Sequence, residues 1–292
     1  MGSKKMKEIN KIKIGIVGHG FVGKATDWGF NTQVEKFIVD PQYNTTISQL
    51  SDFSPELVFI CVPTPMSDDG SQDSSIINSV VNELSIHCKD AVKVIKSTVL
   101  PSLLKLLKNI DKKIIYNPEF LREKYANEDF LNSEFIIFGG DRNISTFVSN
   151  AYLKHSRCKT TEHIFTDLET ASLLKYSVNT FLATKVIFFN EINALFNSMD
   201  VADSWSSFIE VLSKDKRIGE SHMEVPGHDG RKGFGGACFP KDSLAFVKYA
   251  EENNIDMSLL KKTIQTNNLI RSNYSDLVDR EKEQNVSFES KL

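Results

Sequence analysis

One stretch constrains the fold of this chain more than any other: an apolar run that breaks into a glycine turn and passes straight into a helical pattern. KIGIVG covers Lys13–Gly18, GHGFVG covers Gly18–Gly23, and the helix-compatible KATDWGF follows. The apolar run reads as a buried strand. KFIVD then forms a second strand that ends at Asp40. Gly18, Gly20 and Gly23 fit G-x-G-x-x-G between a strand and a helix, the context in which that pattern has a mechanism. The first glycine permits the turn, the second lets backbone approach a pyrophosphate, and the third lets helix and strand pack closely. Phosphates would meet the helix N-terminus, at Phe21 and Val22, where unpaired N–H groups and the dipole favour anions. Asp40 stands about 20 residues on, where a carboxylate binds the ribose 2′-hydroxyl. A carboxylate there repels a 2′-phosphate, so NAD is expected rather than NADP.

The alternation continues. ELVFICVPTP, AVKVIKST, KKIIYNP and EFIIFGG read as further strands, with the helical IINSVVNELSIHC between the first two. Strands alternating with helices predict an α/β fold with a Rossmann-type parallel sheet. That pattern is expected over 1–166. Residues 167–272 are expected to form a helical central, substrate and dimerisation domain, and 273–292 a polar, frayed tail. The lysine-rich opening MGSKKMKEINK is set aside as a loose lead. Ligands of open α/β sheets gather at the carboxyl ends of strands. Val62, Pro63 and Thr64 after the third strand, and Ser97 and Thr98 after the fourth, are therefore candidate contacts. Helix capping is the competing reading of the hydroxyls, and a core thiol that of Cys61.

Composition narrows the partners. A net charge of −3 gives no reason to expect nucleic acid or an anionic membrane. The four cysteines lack any CxxC spacing, which fits a reduced, cytoplasmic protein without a disulfide framework or metal site. No apolar run is long enough to span a bilayer, and no signal-peptide core opens the chain.

Leu168–Met199 contains neither Gly nor Pro and is apolar on most of its girth, so one long helix is expected, buried against the first domain and a second subunit. Lys175 and Asn179 fall one turn apart on it. An anionic ligand or a developing oxyanion would explain them; so would a snorkelling lysine or an ion pair. In NPEFLRE, Pro118 suits a helix start, which would set Glu119 and Glu123 one turn apart as candidate general bases or as an ordinary acidic first turn. GFGGACFPKD spans Gly233–Asp242. Gly235 and Gly236 permit unusual backbone angles and close approach of a ligand. Pro240 suits the first turn of a helix reaching, in one helical stretch, to about Arg271. Cys238 would then lie at a helix N-terminus, where the dipole and Lys241 favour a thiolate nucleophile. A small buried cysteine beside a turn is the competing reading.

GHGFVG, CVPTP, KST, NPEFLRE, LLKYSVNTFLATKVIFFNE, KRIG and GFGGACFPKD, in this order, resemble the UDP-glucose/GDP-mannose dehydrogenase family over nearly the whole chain to about Arg271. The resemblance implies a four-electron oxidation of a nucleotide sugar by two NAD in turn, alcohol to carboxylate, through a Cys238 thiohemiacetal and thioester. It implies that Lys175 and Asn179 steady the oxyanion, that Thr98 and Asp242 hold the hydrolytic water, and that Glu123 moves protons. It further implies that Glu119, Phe120, Leu121 and Gly235 line the sugar–phosphate path, that Arg217 reaches the other subunit's substrate, and that Lys241 lies near the cofactor. A homodimer through the long helix around Phe188 is implied as well. Relatives continue into a C-terminal nucleotide-binding domain, so a short form is expected. SHMEVPGHDGRKGFGG is longer than the usual loop, and Lys124 and Tyr125 stand where a glycine often follows. UDP-glucose is the expected substrate, with GDP-mannose or a UDP-N-acetylhexosamine as sister substrates. A non-catalytic NAD- or nucleotide-sugar-binding dimer and a one-hydride β-hydroxyacid dehydrogenase are the other classes considered.

Overall fold

The computed structural model describes residues 11–289; the lead, residues 1–10, lies outside them. The chain divides into two units, one of residues 1–64 and 74–175, the other of 65–73 and 176–292.

The first unit carries the sheet. In chain order it contains β1 (Ile12–Val17), α1 (Phe21–Gly29), β2 (Val34–Val39), α2 (Ile47–Phe53), β3 (Leu57–Ile60), α3 (Ser75–His87), β4 (Val92–Ile95), α4 (Pro101–Ile110) and β5 (Ile114–Tyr116). α5 (Ala126–Leu131), β6 (Ile136–Gly140), α6 (Arg142–His155) and β7 (His163–Thr166) complete it. The strand order is β2-β1-β3-β4-β5-β6-β7. All neighbours pair in parallel except β5 and β6, which are antiparallel.

Both faces of this sheet are covered, which is why its strands read as continuous apolar runs. Alternate residues feed opposite layers. Val58 and Ile60 of β3 pack with Leu50, Val81 and Leu104, from α2, α3 and α4. Leu57 and Phe59 pack on the other face with Phe30, Phe130, Val148 and Tyr152. Full burial of each such side chain is worth about 1.5–3 kcal/mol, so the two layers hold the strand ends rigidly. A charge enters this core at β4: the Lys93 ammonium is fully buried and meets Asp111 at 2.6 Å.

α7 (Leu168–Ser198) matches the long helix expected from the sequence; it starts in the first unit and continues in the second. The rest of the second unit holds α8 (Trp205–Ser213), α9 (Phe239–Glu252), α10 (Ser258–Arg271) and α11 (Asp279–Glu283). Two expectations are corrected here. The closing helical stretch is two helices, broken where Asn254 takes φ +59° and the chain turns between Asn253 and Met257. The polar tail is not frayed over its described residues. Val286 and Gln284 are buried and Glu281 is fully enclosed, because Glu281 supplies a carboxylate to backbone and to Arg271. α7 also differs in burial: Phe181, Phe188 and Leu195 are 65%, 54% and 59% exposed.

At Gly23 the first turn of α1 packs tightly against the glycine turn after β1. A Cβ on Gly23 would stand 2.1 Å from the Gly18 carbonyl oxygen. We expect Gly23→Ala to lower stability by about 1–3 kcal/mol through overpacking, read from the denaturant midpoint; a wild-type midpoint would contradict the packing described.

Candidate active site

In the first unit, β1 lies between β2 and β3. The chain therefore reverses its direction of travel across the sheet at β1, and the crevice beyond these carboxyl ends is where open α/β sheets bind ligands. Gly18 adopts φ +88°, and a Cβ there would come within 2.7 Å of the Cys61 carbonyl oxygen, so the turn after β1 is pressed against the end of β3. A Cβ on Gly20 would meet nothing within 4 Å. That open ground faces the start of α1, where Gly20 is the N-cap and Phe21 and Val22 are half-buried. Asp40 follows β2 directly. Its Oδ2 accepts from the His19 N–H at 2.6 Å and its Oδ1 from the Gln42 N–H at 3.0 Å. The carboxylate thus fixes its own position against the glycine turn and keeps lone pairs for a ribose hydroxyl. Open backbone at Gly20 and a fixed carboxylate at Asp40 fit an NAD-type dinucleotide.

The strand-end hydroxyls lock two loops together. Thr64 Oγ1 donates to the Thr98 carbonyl at 3.0 Å, and Ser97 Oγ to the Val62 carbonyl at 2.6 Å. Val62, Thr64, Ser97 and Thr98 are buried while Pro63 is exposed. None of these hydroxyls caps a helix, since the N-caps of α3 and α4 are Ser74 and Leu100. Lys96, the lysine of KST, is buried behind them and donates to Asn117 Oδ1 at 3.0 Å and to the Tyr152 hydroxyl at 3.2 Å. Burial pushes its pKa down. Burial also pushes the Cys61 thiol up to about 12, with the nearby Lys96 charge opposing it, so Cys61 is a core thiol.

NPEFLRE departs from the sequence expectation. Residues 117–122 form no helix, so Glu119 and Glu123 do not share a helical face. Glu119 bends the segment onto itself: its Oε2 accepts from the Leu121 N–H at 2.6 Å. The Lys175 ammonium, 3% exposed, meets the Glu119 carbonyl at 2.5 Å and its Oε1 at 3.3 Å, with the Phe120 ring 5.1 Å away. The charge within the apolar helix is therefore paired. Glu123 stands exposed in a short 3-10 turn, Glu123–Tyr125.

In the second unit the glycine run ends in a helix as expected. α9 opens at Phe239 with Cys238 as N-cap and Pro240 in its first turn. The Cys238 carbonyl accepts from the Asp242 N–H at 2.9 Å, and the residue is half-buried. The Asp242 carboxylate, 1% exposed, accepts from Lys241 Nζ at 2.7 Å and from Asn179 Nδ2 at 2.7 Å. Thus Lys241, Asp242 and Asn179 form one buried polar group. Gly235 faces Glu281 and Arg271: a Cβ there would lie 2.4 Å from Glu281 Oε1. Arg217 is exposed and binds Asp215 at 2.6 Å.

Some partners escape a reading of motifs. The His19 ring, inside the glycine turn, meets the Tyr43 hydroxyl at 2.9 Å through Nδ1. Glu281, in what reads as a polar tail, reaches the glycine run. Only their spacing from the motifs was visible in the sequence, and spacing does not reveal a long-range contact.

Together, the reversal crevice, the open glycine turn and the fixed Asp40 make the first unit a dinucleotide-binding domain. Residues 41–155 match the NAD binding domain of the UDP-glucose/GDP-mannose dehydrogenase family, and residues 169–269 match its central domain. The chain belongs to that family. It is 34% identical to the UDP-glucose 6-dehydrogenase of Rickettsia bellii over 254 residues, covering 82% of this chain and 56% of that protein. It is 30% identical to the UDP-glucose 6-dehydrogenase of Bacillus subtilis over 251 residues, covering 82% and 52%. It is similar in structure to a UDP-glucose dehydrogenase of Pyrobaculum islandicum, with TM-score 0.76 at 25% identity, covering 90% of this chain and 69% of that one. The chain spans about half the length of the curated relatives it matches. Among the described residues no helix is long and apolar enough to cross a membrane, and no three or more His, Cys, Asp or Glu side chains gather as a metal ion would need.

The four cysteines offer a direct test. A raised pKa leaves a thiol neutral, and only the thiolate is readily alkylated. Burial raises Cys61 and Cys88, whereas Cys238 caps a helix. Peptide mapping after iodoacetamide treatment at neutral pH should find Cys238 modified well before Cys61 and Cys88; equal rates would contradict the environments described.

Proposed function

We propose that this chain carries the oxidising centre of a nucleotide-sugar 6-dehydrogenase, with UDP-glucose as the sugar. The observation that carries the reading is Cys238 at the N-terminus of α9, where the unpaired N–H groups and dipole of the first turn favour a thiolate. A dehydrogenase that stops at the aldehyde has no use for such a thiol.

NAD, when bound, takes up a hydride from the sugar C6 in each of two successive oxidations. Gly18, Gly20 and Gly23 hold its pyrophosphate, with Phe21 and Val22 at the helix start, and Asp40 accepts from its ribose. Val62, Pro63, Thr64, Ser97 and Lys241 complete the binding surface. Cys238 attacks the C6 aldehyde carbon left by the first oxidation; a C–S bond forms and the carbonyl oxygen takes the charge. Lys175 and Asn179 steady that oxygen. The second oxidation leaves a thioester. Water, held by Thr98 and Asp242, adds to it; the C–S bond breaks, the thiol is restored and the sugar leaves as a carboxylate. Glu123 moves the proton of that water. Glu119, Phe120, Leu121 and Gly235 line the sugar–phosphate path, and Arg217 reaches the substrate of a second copy.

That second copy would pack on α7. Phe181, Phe188 and Leu195 recur every seven residues and are exposed, so they make one apolar stripe. Sedimentation should find a dimer for the wild-type chain and a shift to monomer for Phe188→Glu. A wild-type monomer at every concentration would remove the dimer from the proposal.

The reaction itself is tested by counting NADH per UDP-glucose, wild type beside Cys238→Ser. Two NADH per sugar in wild type, with the variant below about a thousandth of that rate, is the expected result. One NADH per sugar would favour a one-hydride dehydrogenase. NAD binding without turnover on UDP-glucose, GDP-mannose or a UDP-N-acetylhexosamine would leave a cofactor-binding dimer.

A further inference from the structure

We propose that Glu281 is a positioning residue for Cys238: its carboxylate fixes the glycine run that delivers the thiol to the start of α9. The inference rests on the reading of Cys238 as nucleophile.

The glycine run is poorly suited to hold itself in place. Gly233 and Gly236 take φ +73° and +76°, in the left-handed region, and a chain with three glycines in four residues loses much entropy on ordering. Its N–H groups are held from outside. Gly233 N–H donates to Asn190 Oδ1 at 3.0 Å and Phe234 N–H to Asn267 Oδ1 at 2.7 Å. The last N–H of the run, two residues before Cys238, is that of Gly236, and it donates to Glu281 Oε1 at 3.0 Å.

Glu281 is itself built in. It is fully buried, its Oε2 accepts from the Val278 N–H at 2.9 Å, and its Oε1 lies 4.0 Å from an Arg271 guanidinium nitrogen. Arg271 is buried too, and it grips Asp229 Oδ2 at 2.7 Å and the Gly233 carbonyl at 3.2 Å. One guanidinium and one carboxylate thus hold both ends of Gly233–Gly236. Val286 is buried and the Gln284 carbonyl accepts from the Met66 N–H at 3.0 Å, so α11 cannot swing away without losing packing. A carboxylate taken so far out of water is costly unless every partner is kept. That cost makes the position of Gly236, and with it the approach of the chain to Cys238, well defined.

The test compares Glu281→Ala, Glu281→Gln and the exposed-neighbour control Lys282→Ala in the full chain. Hydrogen exchange followed by mass spectrometry reads the backbone directly, whether or not the chain turns over substrate. Glu281→Ala should speed exchange at residues 233–238 by about tenfold or more, equivalent to ~1.4 kcal/mol of local opening, with the strands of the first unit unchanged. Glu281→Gln keeps one acceptor for Gly236 and should fall between Ala and wild type; Lys282→Ala should match wild type. In NADH assays kcat should fall in the same order with KM for NAD unchanged. Wild-type exchange in Glu281→Ala overturns the inference. So does faster exchange throughout the second unit, or the same effect from Lys282→Ala, since either marks general destabilisation. A wild-type chain that makes no NADH overturns the functional reading instead and leaves the exchange result to decide the clamp.

Discussion

Ionised groups taken out of water set the terms for most of what is ordered around the candidate residues. An unpaired buried charge costs several kcal/mol, and breaking one partner of a buried pair costs about 3–5 kcal/mol. Lys175 with Glu119, Lys241 and Asn179 with Asp242, and Arg271 with Glu281 and Asp229 each satisfy that condition by drawing two or more chain segments together. In each case one partner is on a helix of the second half of the sequence. The other partner, or a backbone group beside it, lies in a stretch without regular structure or at a helix start. The polar groups therefore do for the loops what apolar packing does for the sheet.

This explains why irregular segments can be well defined. NPEFLRE needs no helix because Glu119 satisfies Leu121 and Lys175 at once. The backbone of 233–236 is held because Asn190, Asn267, Arg271 and Glu281 supply the acceptors and donors. The glycine turn at 18–20 is set the same way, with Asp40 reaching back to His19. In all three a polar side chain fixes backbone that local propensity leaves free: Lys175 and Glu119 itself in NPEFLRE, and groups from outside the segment in the other two.

The sheet was legible from the sequence because its signals are local: apolar runs, glycine punctuation and helical spacing name β1 to β6 and the long α7. The glycine turn and the start of α9 were legible for the same reason, since Gly18, Gly20, Pro240 and the apolar run after it act within a few residues. What escaped depends on distant pairing. Pro118 signals a helix start, yet Glu119 gains more from Leu121 and Lys175 than a helical turn would offer. DREKEQ reads as solvated because charge runs usually are, yet Glu281 has Arg271 and Gly236 to meet it. Lys175, Arg271 and Gly236 all lie far beyond one helical turn from the carboxylates they meet, so no periodicity could reveal them. The break at Asn253–Met257 was missed because the flanking segments are both helical and no glycine or proline marks it.

Two thiols of the same chain make the chemical argument. Cys61 and Cys238 both follow a rigid element or a tight turn, and Lys96 lies near Cys61. Cys61 is wholly enclosed at the end of β3, and enclosure outweighs the charge of Lys96 so that the thiol stays neutral. Cys238 is half-exposed at the mouth of a helix, where the first-turn N–H groups of α9 have no carbonyl partners within the helix. Access to solvent and the direction of nearby backbone dipoles separate the two environments, and both follow from the glycines that let the chain enter α9 at Cys238 rather than burying it.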